Sequence, residues 1–337
     1  MNNYRLIILG DEWDVYLTAY KDLIDDPKIL YIPTFRPKGL LGQLQRMHLN
    51  PRLNHLVSFP GKNWWNPLIL SHIKKEQRLC FLILDNWLRM ECGIKLLPYL
   101  RQHYPQARIV CFAQDLVATI KDHYSQKSID VDYLKQYADL LISYDKNDAS
   151  QYGLLYHPTV FSPIVQNTPV ISDQYDLYFL GRDKGRLPLI IDVCIEAERR
   201  GLRCKMIVIG VPKEKRIPIT GIEYIDGSLT YLENLKNCTE SRCIIEMLQQ
   251  KASSSTFRTW EAIMLNKKLI TNNAAIKESE VYDERYISVF HDLADFDWSF
   301  AKNDNPFSKS NPYQELIKPE SLVRFIEDKL QIQIERS

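Results

Sequence analysis

Short apolar runs recur along the whole chain. Each is closed by a polar turn and followed by an amphipathic segment, and this alternation excludes most folds at once. Residues 5–9 (RLIIL), 78–84 (RLCFLIL), 108–112 (RIVCF), 205–210 (KMIVIG) and 243–247 (CIIEM) are five such runs. A short run with no polar alternation suits a strand buried on both faces, the environment of a parallel sheet. Parallel neighbours need a crossover, usually a helix. The chain therefore predicts an α/β protein of doubly wound sheets.

Read in order, the first half gives strands at 5–9, 28–32, 54–59, 78–84, 108–112, 140–143 and 154–157. Amphipathic or helical segments fall at 13–24, 40–49, 91–103, 131–137 and 146–152, and Pro98 predicts a kink or a late start in the third of these. Residues 158–172 hold Pro158, Pro163 and Pro169 among Ser, Thr and Asn, and read as a linker. Beyond it, strands at 176–180, 205–210, 222–225, 243–247, 268–271 and 287–290 alternate with helices at 187–200, 229–237 and 256–265. A short turn at 274–278 and a terminal helix at 319–332 complete the pattern. At 337 residues the chain holds two domains, 1–165 and 170–315, with 316–337 as a terminal helix.

Composition narrows the function classes. The formal net charge is +1, which gives no global case for nucleic acid as a partner. The distribution is uneven: between residues 34 and 108 there are twelve Lys and Arg against three Asp and Glu, with Trp64, Trp65 and Trp87 interleaved. Such a stretch suits an acidic or lipid-linked acceptor and peripheral contact with an anionic membrane; it equally describes a basic surface over a Trp-containing core. The seven cysteines are scattered with no C-x-x-C pair, which predicts reduced core thiols and no zinc site. The start, MNNYRLIILGDEW, lacks a charged leader and a long apolar core, and no run approaches a membrane span. The expected location is cytoplasmic, with any membrane work peripheral.

Two stretches carry candidate chemistry. Ser254, Ser255 and Thr256 place a run of hydroxyls at a helix N-terminus, followed by Arg258 and Glu261. Backbone N–H groups, hydroxyls and the positive helix end suit a phosphate. Arg258 adds a bidentate donor, and Glu261 a carboxylate for ribose hydroxyls. The same residues also describe an ordinary capped helix. In GRDKGR, residues 181–186, Arg182, Lys184 and Arg186 follow a strand and precede a helix, which suits a pyrophosphate clamp or a solvated basic loop. Neither stretch is a P-loop, and no G-x-G-x-x-G follows the first strand. Glu246 ends the strand before the hydroxyl run, where it faces a donor's base or sugar, or pairs with Arg242 or a lysine.

Residues 253–271 (SSSTFRTWEAIMLNKKLIT) resemble the donor-nucleotide segment of bacterial GT-B glycosyltransferases, including capsule, lipopolysaccharide and exopolysaccharide enzymes. There a Ser/Thr/Gly-rich loop leads into R-T-x-E-A, a small-residue helix and K-K-L-I-T. Residues 178–186 (YFLGRDKGR) resemble the strand and basic loop that open the nucleotide domain of the same group. The resemblance implies two Rossmann-like domains facing across a cleft, the first for the acceptor and the second for the nucleotide sugar, with the last helix crossing back. It implies sugar transfer from a nucleoside diphosphate donor to a glycan, with no cofactor beyond that donor. A nucleotide-sugar epimerase of the same plan, or a non-catalytic assembly protein that kept the fold, are the alternatives.

Such transfer needs positive charge at the leaving diphosphate. The helix N-terminus, Lys184, Arg186 and Arg258 supply it without a metal. An inverting reaction also needs a base for the acceptor hydroxyl. Asp11, Glu12, Asp85 and Asp115 all follow strands of the first half, and Asp11, in the turn after the first strand, is placed best. The other use of an Asp there is to cap or fix the turn. The two literal D-x-D matches, at 130–132 and 295–297, do not end strands; the first reads as a helix cap.

Overall fold

A computed structural model describes residues 3–34, 39–74, 78–163, 174–248, 256–303 and 310–334. The chain separates into two units, one of residues 1–162 and 317–337, the other of residues 163–316.

The first unit opens with β1 (Asn3–Gly10), two short helices α1 (Asp14–Ala19) and α2 (Lys21–Asp25), and β2 (Leu30–Pro33). Helices α3 (Gly39–His48), α4 (Pro51–Leu56) and α5 (Trp65–Ile69) precede β3 (Leu79–Leu84). Then come α6 (Asp85–Ile94), α7 (Leu96–His103), β4 (Arg108–Ala113), α8 (Val131–Tyr137), β5 (Leu140–Ser143), α9 (Lys146–Tyr152) and β6 (Leu155–Tyr156). The strands pair in the order β2-β1-β3-β4-β5-β6, all parallel. The winding direction reverses between β1 and β3, and loops at the carboxyl edge of such a reversal are where open α/β sheets bind ligands. β3 is buried at all six positions, as a two-faced strand must be. Ile7, Leu9, Phe81, Ile83, Trp87 and Leu97 share one core.

Two of the differences from the sequence pattern have a clear local cause. Residues 54–59, expected as a strand, lie across and beyond α4. Asn50 caps that helix by accepting the Leu53 N–H at 3.1 Å, and Pro51 opens it with the fixed φ that the first turn needs. The helix expected at 91–103 is two helices broken at Lys95, which is left-handed at φ 51°. Pro98 has no N–H for the Ile94 carbonyl, so a continuous helix would leave that group orphaned. The Asn66 amide donates to it instead, at 2.6 Å. The Glu91 carboxylate caps the new N-terminus, accepting the N–H groups of Leu96 and Leu97 at 3.0 and 3.2 Å.

The second unit holds β7 (Tyr175–Arg182), α10 (Leu187–Arg199), β8 (Cys204–Ile209), β9 (Ile222–Ile225) and α11 (Tyr231–Thr239). It continues through β10 (Ser241–Glu246), α12 (Phe257–Met264), β11 (Lys268–Thr271), β12 (Ile287–Val289), α13 (Trp298–Lys302) and α14 (Gln314–Ile317). Its sheet runs β9-β8-β7-β10-β11-β12, again parallel, with the reversal between β7 and β10. This is the dinucleotide-fold strand order, reached without the glycine fingerprint.

The chain ends in α15 (Pro319–Leu330) and β13 (Gln333–Ile334), both in the first unit; β13 pairs parallel with Asn3 and Tyr4 of β1. No helix of the described residues is long and apolar enough to cross a membrane.

Candidate functional site

In the second unit the loops after β7 and β10 leave the sheet side by side at its reversal. In the first loop Asp183 Oδ1 accepts the Leu187 N–H at 3.0 Å and steadies the start of α10. Lys184 and Gly185 are both left-handed, at φ 43° and 82°. Arg182 and Lys184 are exposed, and neither side chain has a hydrogen bond or ion pair among the described residues.

Arg186 behaves differently. Its guanidinium folds back and donates to the carbonyls of Met247 (2.5 Å), Asp183 (3.3 Å) and Arg182, over the Phe179 ring. Two backbone segments, the loop after β7 and the end of β10, are thereby tied by one side chain. A side chain on Gly181 would stand 2.8 Å from Phe179 and 2.9 Å from Arg186, so only glycine leaves room for this fold-back. Burial pushes the Arg186 pKa down; Asp183 opposes the shift and nearby Arg258 adds to it.

The loop after β10 is fastened by Glu246. Its Oε1 accepts the Thr256 N–H at 3.0 Å, the Thr256 hydroxyl at 2.6 Å and the Thr259 hydroxyl at 3.2 Å, and its Oε2 accepts the Thr271 hydroxyl at 2.6 Å. Among the described residues its partners are hydroxyls and a backbone N–H, with neither Arg242 nor a lysine among them. Thr256 caps α12 by accepting the Arg258 N–H at 3.2 Å. Ser254 and Ser255 lie outside the described residues.

Arg258 and Glu261 are one turn apart on α12, and both point inward. Glu261 is 0% exposed and accepts from Arg258, from the Tyr231 hydroxyl (2.7 Å) and from the Asn234 amide (3.1 Å). Arg258 also donates to Asn234 Oδ1 at 2.9 Å and to the Leu180 carbonyl at 3.4 Å. Its pKa is raised because the charges around it, Glu261 first, outweigh its burial. As placed, Glu261 joins α12 to α11, and Arg258 carries the link on to Leu180 of β7. Tyr231 and Asn234 carried no signal in the sequence, since their spacing on α11 is that of any buried helix face.

In the first unit the corresponding reversal loops begin at Asp11 and Asp85. Asp11 is buried; its Oδ1 accepts the N–H groups of Glu12 (2.7 Å) and Trp13 (3.2 Å), while its carbonyl accepts the Tyr31 hydroxyl at 2.7 Å. Gly10 leaves room for Tyr31, whose hydroxyl would lie 2.1 Å from a Cβ there. Burial raises the Asp11 pKa, partly offset by those N–H groups and by Arg89. Glu12 is ion-paired to Arg46 at 3.3 Å, and Asp115 to Arg89 at 3.2 Å.

Asp85 opens α6. Its Oδ1 accepts the Gln114 N–H at 2.8 Å, and its Oδ2 is buried with no partner. Both amide atoms of Gln114 and the Tyr20 hydroxyl are also buried without partners. Burial pushes the Asp85 carboxyl up to about 7; Gln114 and Arg89 pull against that, and Asp115 and Asp11 add to it. Orphaned buried polar atoms are rare enough that each needs an explanation, a water or a ligand among them. Tyr20 and Gln114 escaped the sequence reading because both fall in segments that read as core or turn. Asp130 is confirmed as a helix cap, accepting the N–H groups of Asp132 and Tyr133; Asp297 caps α13 in the same way.

No family model matches the chain, and a comparison with curated proteins gives no match either. Solved structures do match in fold. An alpha-glucosyltransferase in complex with UDP and a 13-mer DNA containing an HMU base is 12% identical, with a TM-score of 0.59 over 98% of this chain and 100% of that one. A trehalose-6-phosphate synthase is 11% identical, with a TM-score of 0.55 over 97% and 99%. A UDP-GlcNAc 2-epimerase from Methanocaldococcus jannaschii is 14% identical, with a TM-score of 0.50 over 97% and 100%. At such identities the likeness speaks for the fold alone: α/β, with the two Rossmann-like units of the GT-B class.

Proposed function

We propose that this chain is a glycosyltransferase that moves a sugar from a nucleoside diphosphate donor, without a metal, to a lipid-linked glycan in cell-surface polysaccharide synthesis. Its proposed place is the cytoplasmic face of the membrane. The second unit takes the donor. The observation that carries this reading is the pair Arg182 and Lys184, two exposed cations without partners among the described residues, at the reversal of a dinucleotide-order sheet and beside the start of a 13-residue helix. Phosphate oxygens are the ligands that such a place recognises. Arg186 and Arg258 stand behind them as further positive charge for the leaving diphosphate. Glu246, Thr256 and Glu261 hold the two loops and α12 in register, and Ser254 and Ser255 offer hydroxyls to the same phosphates. The neighbours in fold support the donor class, since UDP is the ligand in the glucosyltransferase complex.

Asp11 is proposed to take the proton of the acceptor hydroxyl. Its Oδ1 is fixed by two N–H groups, so the carboxylate is aimed before substrate arrives, and burial makes it a stronger base than a free Asp. The epimerase reading uses the same donor site but needs no acceptor.

The test is release of nucleoside diphosphate from a panel of nucleotide sugars, with and without a lipid-linked glycan extract. The expected result is turnover that depends on the extract and falls about 100-fold or more in Asp11→Asn, with the donor KM unchanged. Conversion of a nucleotide sugar to its epimer, with no net release of diphosphate and no need of the extract, favours the epimerase; Asp11→Asn at wild-type rate removes Asp11 from the mechanism.

A further inference from the structure

Helix α3 is inside out. Leu40, Leu44 and Met47 share one stripe at four- and three-residue spacing, a pattern that ordinarily faces a core. Here the stripe faces outward, with Leu40 74% exposed. The opposite side buries Gly42 and Gln45, and neither polar atom of the Gln45 side chain has a hydrogen-bond partner among the described residues. An arrangement that leaves leucines in water and a glutamine unsatisfied is unfavourable on both counts unless something covers the leucines.

Further exposed apolar side chains follow along the chain. Leu56 is 83% exposed, Trp64 77%, and Val57 is exposed beside them. These are bound to the end of α3 through His48, which accepts from Trp65 Nε1 at 2.9 Å, donates Nε2–H to the Pro60 carbonyl at 2.9 Å, and through its own carbonyl accepts the Asn54 amide at 2.8 Å. Of the fifteen large hydrophobic side chains exposed among the described residues, eleven fall between Trp13 and Leu68, so the exposure is concentrated in one stretch. Most of that stretch, from residue 27 onward, is also free of acidic residues. Between Asp26 and Glu76 the sequence has eight Lys or Arg and no Asp or Glu. Arg52 and Lys74 stand exposed within it.

We infer that this face of the first unit docks on an anionic lipid bilayer. Leu40, Leu44, Met47, Leu56 and Val57 enter the boundary between headgroups and acyl chains, Trp64 lies at headgroup level, and Arg52 and Lys74 meet lipid phosphates. Apolar side chains beside tryptophan and unopposed cations are what an interfacial surface combines. A second copy fits less well, because a two-fold contact would press two predominantly basic surfaces together, with Glu12 already paired to Arg46 of α3. Nucleic acid would take the cations and leave the leucines in water. The inference gives a surface to the peripheral location proposed above, and rests on that part of the reading alone.

The test is co-sedimentation with vesicles of phosphatidylcholine, with and without phosphatidylglycerol, using wild type and the triple variant Leu40→Glu/Leu56→Glu/Trp64→Glu. All three sites are exposed, and equal melting temperatures show that the variant folds. Wild type is expected to sediment with the anionic vesicles only, less so at high salt, and the variant to bind about tenfold more weakly or worse. Absent binding, equal binding by the variant, a wild-type dimer that the variant splits, or tighter binding to duplex DNA than to vesicles each overturns the inference. Nucleoside diphosphate affinity, measured on both proteins, separates the two claims. It is expected to be the same in both, and its absence from both removes the donor site while leaving the vesicle result standing.

Discussion

Burial pushes the Asp85 carboxyl up to about 7, and the sign of the consequence follows from where the proton sits. An Asp in an unfolded chain titrates near about 3.9. Between that value and about 7 the folded protein holds a proton at Asp85 that the unfolded chain has lost, so stability falls as pH rises. The contribution is complete below the unfolded value and gone once pH has passed through the folded one. At about 1.4 kcal/mol per pH unit, the window is worth roughly 4 kcal/mol. Asp85→Asn keeps an oxygen for the Gln114 N–H and removes the charge. The variant is expected to melt with wild type near about pH 4 and above it near about pH 8, by thermal unfolding. A gap that does not widen with pH shows that Asp85 is not the buried acid. Glu261 teaches a related lesson. The sequence placed it at a phosphate-like helix start, but the side chain is saturated by Tyr231, Asn234 and Arg258. No spacing rule on α12 alone announces partners from a helix some thirty residues earlier.

Among the elements, the break between α6 and α7 shows how one missing N–H is accommodated. Pro98 frees the Ile94 carbonyl, Asn66 satisfies it, and Lys95 takes the left-handed turn between the helices. Asn66→Ala is expected to cost about 2 kcal/mol, because it leaves a buried carbonyl unpaired; urea unfolding measures it. A loss within about 0.5 kcal/mol, the scale of ordinary surface substitutions, contradicts that role for Asn66. The proline was visible in the sequence and signalled an irregularity. The asparagine that repairs it lies 28 positions away and was not visible. The same contrast runs through the fold. Helices α8 and α9 and strand β5 have the bounds that local pattern gives them. α4 was misread because its capping by Asn50 and Pro51 was outweighed by the apolar residues that follow. The outward stripe of α3 was read correctly as amphipathic, but periodicity does not say which face meets the core.

For the whole molecule, what matters is that both sheets reverse their winding, and that the reversals lie beside the loops that carry Asp11 and Asp85 in one unit and Arg182 and Thr256 in the other. Runs such as RLIIL and RLCFLIL revealed the parallel strands, because a strand buried on both faces has a composition of its own. They did not reveal strand order, which depends on which crossovers pack on which face. β13 escaped as well, since two residues make no pattern. The central claim is that the second sheet's reversal holds a nucleoside diphosphate. Titration calorimetry tests it most directly, with UDP, GDP, ADP and CDP in EDTA, on wild type and on Arg182→Ala/Lys184→Ala. Both residues are exposed and without partners among the described residues, so their loss is expected to leave the fold alone. The expected result is that one diphosphate binds wild type in EDTA and binds the double variant about tenfold more weakly or not at all. Binding of no diphosphate, or equal binding by both proteins, contradicts it.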